Sequence, residues 1–72
     1  MRMMPLAMAK PGEPFTISKI TGKDQVRQHL AELGFVVDAE VTVVSELGGN
    51  LILQVKDSRV ALDKDMATRI LV

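Results

Sequence analysis

The sequence predicts a mainly β domain, a small five-stranded barrel with one α-helix inserted after the first strand. In most of the chain, apolar residues recur at every second position, as they do in half-buried strands. Only residues 24–33 show the three- and four-residue spacing of an amphipathic helix. So few short strands would leave two sheet edges exposed, and curling the sheet into a barrel pairs most of those edges.

The predicted helix begins at Asp24, whose carboxylate can accept amide hydrogens from the first helical turn. Gly34 can adopt the left-handed conformation that ends a helix, after which Phe35 can fold back on Leu30. We expect the helix to close one open end of the barrel. Its buried face is predicted to consist of three apolar residues, Val26, Leu30 and Leu33.

The strands are predicted from alternating β-branched and other apolar residues. Gly48 and Gly49 suit the hairpin between the second and third strands, because glycine adopts positive φ values readily. Asp63 is expected to cap a short helical turn that continues to Ala67. The five predicted strands span residues 15–20, 41–46, 51–56, 60–62 and 69–72.

The N-terminal segment contains four of the five methionines and all three prolines. We expect residues 1–4 to be flexible, and Leu6 and Met8 to cover one end of a single domain that spans residues 1–72. A methionine cluster can bind soft metals such as Cu(I), but filling gaps against a core is the favoured interpretation. Pro5 and residues 10–14 interrupt the apolar run that a secretory signal needs.

Composition excludes several classes of function. The 72 residues include nine basic and nine acidic side chains, which alternate and give a net charge of zero. Nucleic-acid binding is therefore not expected, because it needs a basic stripe. The longest apolar run is far shorter than the roughly 20 residues of a membrane span, so membrane insertion is not expected. The absence of cysteine weakly favours the reducing cytoplasm.

No set of side chains predicts catalysis, a metal site or a cofactor. His29 is the only histidine, and it is interpreted as a half-buried helix residue. Asp63 and Asp65 are too few for a calcium site, and a helix cap is favoured for them. The glycine pair of the hairpin is followed by neither a helix nor a lysine, so a phosphate site is not expected. We therefore predict a protein that is not an enzyme.

Four apolar residues are candidates for contact with a partner protein. They lie after the helix, at the hairpin tip and on the outward face of a strand, where apolar exposure would favour binding. Ordinary packing of each residue within its own loop or strand is the alternative. The candidates are Val36, Val37, Leu47 and Ile52.

Three segments, in the same order along the chain, resemble the ferrous iron transport protein A (FeoA) family of bacterial SH3-like barrel domains. The opening pattern is Pro5-Leu6 followed by Lys10-Pro11-Gly12-Glu13, and the helix ends in a similar way at residues 30–35. The closing pattern combines Gly49-Asn50, Arg59-Val60-Ala61-Leu62 and residues 66–72. The family commonly has Pro-Gly where this chain has Asp38-Ala39, and a glycine where it has Asp57-Ser58, so turn geometry there is an open question.

The resemblance implies a small cytoplasmic accessory protein of ferrous iron uptake. Its implied partner is the cytosolic region of the FeoB-type membrane GTPase transporter, to which it would bind as a regulator. The alternative is a metal-sensing SH3-like domain related to the C-terminal domain of iron-dependent transcriptional repressors. The resemblance leaves open the oligomeric state and whether the protein activates or inhibits transport.

Overall fold

The computed structural model describes residues 3–72, which contain six β-strands, two α-helices and one turn of 3-10 helix at Leu6–Met8. The helices are α1 (Asp24–Glu32) and α2 (Lys64–Ala67). The strands are β1 (Pro14–Thr16), β2 (Lys19–Ile20), β3 (Glu40–Leu47), β4 (Asn50–Val55), β5 (Ser58–Asp63) and β6 (Ile70–Leu71).

The strands form two antiparallel sheets. Four of them pair in the order β1-β3-β4-β5, and β2 pairs with β6. The prediction of a small, mainly β fold with a helix inserted near its beginning is confirmed. Among residues 3–72, however, the hydrogen-bonded ladders do not join into one closed ring.

The predicted first strand, residues 15–20, was wrong as a single element. The chain leaves the larger sheet after Thr16. The Ile17 amide still donates to the carbonyl of Ala39, just before β3, at 2.9 Å, whereas the Ser18 amide donates to the carbonyl of Leu71 in β6 at 2.8 Å. Residues 15–20 therefore contribute one short strand to each of the two sheets. The alternating pattern identified extended backbone but could not show that its two halves have different partners.

The core lies between the sheets and is apolar throughout the described residues, which bury no polar side chain. Leu6 is fully buried as expected, whereas Met8 is 74% exposed, so the expectation that Met8 covers one end of the domain was wrong. The 3-10 turn directs only Leu6 inward. The buried residues are Leu6, Ala9, Ile17, Leu30, Phe35, Val41, Val43, Leu51, Leu53, Val55, Leu62, Ala67 and Ile70.

Two backbone hydrogen bonds join the chain ends. The amide of Met4 donates to the carbonyl of Val72 at 2.9 Å, and the amide of Val72 donates to the carbonyl of Met4 at 2.8 Å. Pro5 forms an isolated bridge with Leu71. Of the four residues predicted to be flexible, Met1 and Arg2 lie outside the described residues, and Met4 is fixed by these bonds.

The start of α1 differs from the prediction. Lys23 occupies the N-cap position without a side-chain cap, and Asp24 is the first helical residue, where it forms an ion pair with Arg27. The carboxylate still lies at the positive end of the helix, where a negative charge is favourable. Asp24 therefore stabilises the first turn through its charge instead of by accepting a capping hydrogen bond.

The end of α1 is as predicted. Gly34 has φ of 106°, and the amides of Gly34 and Phe35 donate to the carbonyls of Ala31 and Leu30 at 3.0 and 2.9 Å. These two bonds define a Schellman cap, whose apolar contact joins residues at the positions of Leu30 and Phe35. Both of these side chains are fully buried, and Val26 and Leu33 are partly buried against the core.

The predicted hairpin and the predicted cap of α2 are also confirmed. Gly48 and Gly49 both have positive φ, which a two-residue hairpin turn favours. One carboxylate oxygen of Asp63, Oδ1, accepts a hydrogen bond from the Met66 amide at 2.8 Å. Lys64 pairs with Glu46 at 2.8 Å, so the first residue of α2 also contacts the hairpin.

A tight turn joins the cap of α1 to β3. The amide of Ala39 donates to the carbonyl of Val36 at 3.1 Å, and the Asp38 amide donates to the carbonyl of Ile17 at 2.8 Å. Asp38 has φ of 75°. The turn is therefore centred on Val37–Asp38, one residue before the pair suggested by the resemblance.

The turn between β4 and β5 is shifted in the same way. It is centred on Lys56 and Asp57, since Val55 pairs with Ser58, and Lys56 has φ of 53°. The chain thus accepts two non-glycine residues in the left-handed region, where aspartate is tolerated better than most residues.

We predict that Leu30→Ala lowers the free energy of unfolding by about 2–5 kcal/mol, because it removes a fully buried side chain from a small core. Urea denaturation would measure this loss. Gln28→Ala is the matched control on the exposed face of α1 and should change stability by less than about 0.5 kcal/mol. A loss below about 1 kcal/mol for Leu30→Ala would contradict the assigned helix face.

A second prediction concerns the turn before β3. Asp38→Val should lower the free energy of unfolding by about 1–2 kcal/mol or more, because a β-branched residue is strained at φ of 75°. Asp38→Gly should leave stability unchanged within about 1 kcal/mol, since glycine adopts this conformation without strain. In the same urea assay, Asp57→Val is the control at a turn aspartate without positive φ. Equal losses for Asp38→Val and Asp57→Val would show that Asp38 is not strained.

Candidate protein-interaction surface

The turn before β3 presents two apolar side chains to solvent. Val36 is 39% exposed and Val37 is 54% exposed. The backbone on either side is held in place, because Phe35 belongs to the helix cap and Asp38 and Ala39 both bond to Ile17. The two valines therefore project from a fixed turn instead of a loose loop.

A shallow groove of about 230 Å³ begins at the same turn. Ala39 belongs to both features, and the groove continues over the outer face of β3 and β4, where Thr42 pairs with Gln54. Glu40 and Lys56 give it one charge of each sign. We call Val36, Val37 and the five groove residues Ala39, Glu40, Thr42, Gln54 and Lys56 the turn surface.

The turn surface combines apolar anchors with polar groups that can orient a ligand. The side-chain amide of Gln54 donates to the backbone carbonyl of Lys56 at 3.0 Å, so one wall of the groove is braced. Such a mixture of apolar and polar groups is typical of the surfaces through which proteins bind one another.

Leu47, another predicted contact residue, lies at the opposite end of β3. Its side chain is 74% exposed at the hairpin tip. Seven residue steps of strand separate Glu40 from Leu47, which corresponds to roughly 23 Å at about 3.3 Å per residue. Leu47 therefore does not belong to the turn surface.

Ile52, the fourth predicted contact residue, lies between these two ends. It is on the outer face of β4, opposite Ser45 of β3 and Ala61 of β5, and is half-buried by its neighbours. The structure thus brings Val36 and Val37 together but leaves Leu47 and Ile52 apart from them. Whether any of the four contacts a partner stays a prediction.

The groove was not predicted from the sequence. Period-two alternation placed Gln54 and Lys56 on the outer face of a strand, but their proximity to Ala39 depends on the pairing of β3 with β4. The exposure of Met3 and Met8 was also missed, because a methionine in an irregular segment resembles a core residue in sequence.

The residues considered as ligands or catalysts are dispersed. His29 is exposed on α1, so its interpretation as a half-buried residue was wrong. Asp63 caps α2, which confirms that interpretation, and the Asp65 carbonyl accepts a hydrogen bond from Thr68. Within residues 3–72, no three His, Cys, Asp or Glu side chains are grouped so that they could hold a metal ion.

In the part of the chain from Met3 onward, no helix has both the length and the apolar character needed to cross a membrane.

The chain matches a known family over nearly all of its length. The model of the FeoA domain family matches residues 4–72. A relative from Methanocaldococcus jannaschii, provisionally named Fe(2+) transport protein A, is 31% identical over 70 residues, which cover 97% of this chain and 85% of the relative.

Solved structures show the same fold. A crystal structure described as an iron uptake regulatory protein, FeoA, has a TM-score of 0.88 and 27% identity, and the match covers 97% of this chain and 95% of that one. Stenotrophomonas maltophilia FeoA, described as an SH3 domain protein and solved with zinc, has a TM-score of 0.80 and 30% identity over 93% of this chain and 86% of that one.

The fold also occurs as part of a longer regulator. A manganese-dependent transcriptional repressor has a TM-score of 0.86 at 22% identity, and the match covers 97% of this chain but 40% of the repressor. At that identity the likeness shows the fold alone. The match to the family model and the relatives of similar length together establish that this protein has an SH3-like fold and belongs to the FeoA domain family, which is associated with ferrous iron transport.

Proposed function

We propose that this protein is a cytoplasmic accessory protein of ferrous iron uptake that regulates a FeoB-type membrane GTPase transporter by binding its cytosolic region. Family membership supports the link to ferrous iron transport. The observation that carries the proposal is the fixed turn with two exposed valines beside a groove. A regulator that acts by contact needs such a surface and needs no catalytic group.

The rigidity of the turn surface favours binding. Ordering a flexible loop on association costs about 0.5–1.5 kcal/mol for each immobilised side chain, whereas valine has one χ angle and little rotamer freedom to lose. The hydrogen bonds that hold Asp38 and Ala39 to Ile17 already fix the backbone. Val36 and Val37 can therefore act as apolar anchors at a low entropic cost.

The groove would contribute orientation more than affinity. Glu40 and Lys56 offer a charge of each sign, so a partner segment with the opposite arrangement would bind in one direction only. The overall net charge of zero provides no long-range steering. Specificity would then come from close contact at the turn surface.

NMR titration of the ¹⁵N-labelled protein with the cytosolic GTPase domain of the transporter tests this proposal. We expect shifts to cluster at residues 36–42 and 54–56. Val37→Asp should weaken binding by about tenfold or more, because it places a charge in the apolar centre of the contact. Leu47→Asp is the matched control, since Leu47 is exposed and lies at the far end of β3.

Two outcomes would contradict the proposal. If no shifts occur at high concentration of the domain while the fold is intact, binding to this partner is excluded. If shifts centre on the hairpin tip and Leu47→Asp weakens binding while Val37→Asp does not, the docking surface is at the other end of the molecule.

The second candidate function is metal sensing. Two observations favour it: Stenotrophomonas maltophilia FeoA was solved with zinc, and the manganese-dependent repressor shares the fold. The described residues of this chain hold no group of three potential ligands, which favours the interaction role. Calorimetry with Fe(II) or Mn(II) separates the two roles, because stoichiometric micromolar binding by the monomer would support sensing and oppose an interaction-only function.

A further inference from the structure

Strand β5 forms an outer edge of the four-stranded sheet. It pairs with β4 along its whole length, from Ser58 opposite Val55 to Asp63 opposite Asn50. Its other side has no strand beside it, and no backbone hydrogen bond from another element reaches it within residues 3–72. A row of backbone donors and acceptors is therefore open to an additional strand.

This edge lacks three of the features that usually prevent strand pairing, namely proline, lysine and a β-bulge. Residues 58–63 contain neither proline nor lysine, and their register with β4 is uninterrupted. The opposite edge of the sheet is protected, because β1 has three residues and begins with Pro14, which has no amide hydrogen. Among the described residues, β5 is therefore the long edge of this sheet with an uninterrupted register.

The register shows which backbone groups point outward. Because the turn between β4 and β5 has two residues, Val55 and Ser58 form the hydrogen-bonded pair beside it. Val60 and Leu62 then also direct their backbone groups toward β4. The amides of Ala61 and Asp63 and the carbonyls of Arg59 and Ala61 point to the open side.

We propose that β5 pairs antiparallel with β5 of a second copy of this chain, with Ala61 opposite Ala61 on the two-fold axis. In this register, Arg59 lies opposite Asp63 of the second copy, and the symmetric pair repeats the contact. Arg59 and Asp63 both direct backbone groups to the open side, so they can face each other across the new ladder. Their opposite charges then lie on the same face of the joined sheet. Shifting the strands by two residues would place Arg59 opposite alanine in one direction or Asp63 opposite alanine in the other, and either shift would lose both ion pairs.

The side chains are available for these contacts. Arg59, Ala61 and Asp63 are all exposed. Oδ1 of Asp63 caps α2, and Oδ2 accepts no hydrogen bond from the described residues. The Nε of Arg59 donates to Gln54 at 3.1 Å, and its terminal nitrogens form no ion pair among the described residues. Because Gln54 lies opposite Arg59 on β4, this bond holds Nε toward β4 and leaves the two terminal nitrogens for the second copy.

The outer face of the sheet adds an apolar contribution. Ile52 lies directly beside Ala61, so the two-fold axis would place two copies of this pair in one apolar stripe across the joined sheets. A net charge of zero means that the two chains do not repel each other over a distance. This role accounts for Ile52, which lies apart from the turn surface.

Sedimentation equilibrium of the full chain over micromolar to millimolar concentrations tests the proposal. We expect the average mass to rise from that of one chain toward that of two. Ala61→Pro should abolish this rise, because the Ala61 amide does not bond to β4 and proline blocks the new ladder. Ala61→Thr is the matched control, which keeps the amide and should still dimerise.

Arg59→Glu provides a second variant in case Ala61→Pro does not fold, as judged by circular dichroism. It places a carboxylate opposite the carboxylate of Asp63 in the second copy and should weaken the dimer at least tenfold. A wild-type protein that remains monomeric at every concentration would overturn the proposal, as would a dimer that both folded variants retain. If the wild type is monomeric and Ala61→Pro prevents binding of the transporter domain, the edge serves a heterologous strand and the proposal is wrong.

Discussion

The reversal of the chain at Gly34 is the constraint on which the positions of the helix, the sheet and the turn surface depend. Leu30 and Phe35 are both fully buried, and a backbone hydrogen bond of 2.9 Å joins them. A Cβ atom at Gly34 would lie 3.5 Å from the Val55 side chain, so the cap rests against the end of β4. The end of α1 is thereby fixed to the sheet by two core residues and one glycine.

The turn surface is a direct consequence of this constraint. The turn begins at Val36, immediately after the buried Phe35, and ends at Ala39, which bonds to Ile17. Neither side of the turn can move without disturbing a buried residue, since Ile17 is also fully buried. The fold itself therefore holds Val36 and Val37 exposed to solvent, and this supports a role in binding.

Local chemistry determined which elements the sequence could predict. The spacing of Leu30 and Leu33, the glycine at position 34 and the capping aspartate at position 63 each act within a few residues, and the structure confirms them. The division of residues 15–20 between two sheets could not be predicted, because the backbone hydrogen-bond partners of Ile17 and Ser18 are far away in sequence. The exposure of Met8 was missed for a different reason, because a methionine in an irregular segment resembles a core residue in sequence.

The candidate surface was predictable only in part. Val36 and Val37 are apolar residues beside a turn, and a sequence pattern can identify that. The groove depends on Gln54 and Lys56 lying next to Ala39, which only the register of β3 with β4 establishes. The open edge of β5 likewise depends on which strands are neighbours in the sheet. The alternation of residues within one strand does not show this.

Preorganisation of the turn surface can be measured by ¹⁵N relaxation of the free protein. We expect backbone order parameters for Val36, Val37 and Asp38 close to those of β3 and β4, at about 0.85. Values below about 0.6 at these three residues, with rigid strands on either side, would show that the turn is a flexible loop and is not preorganised.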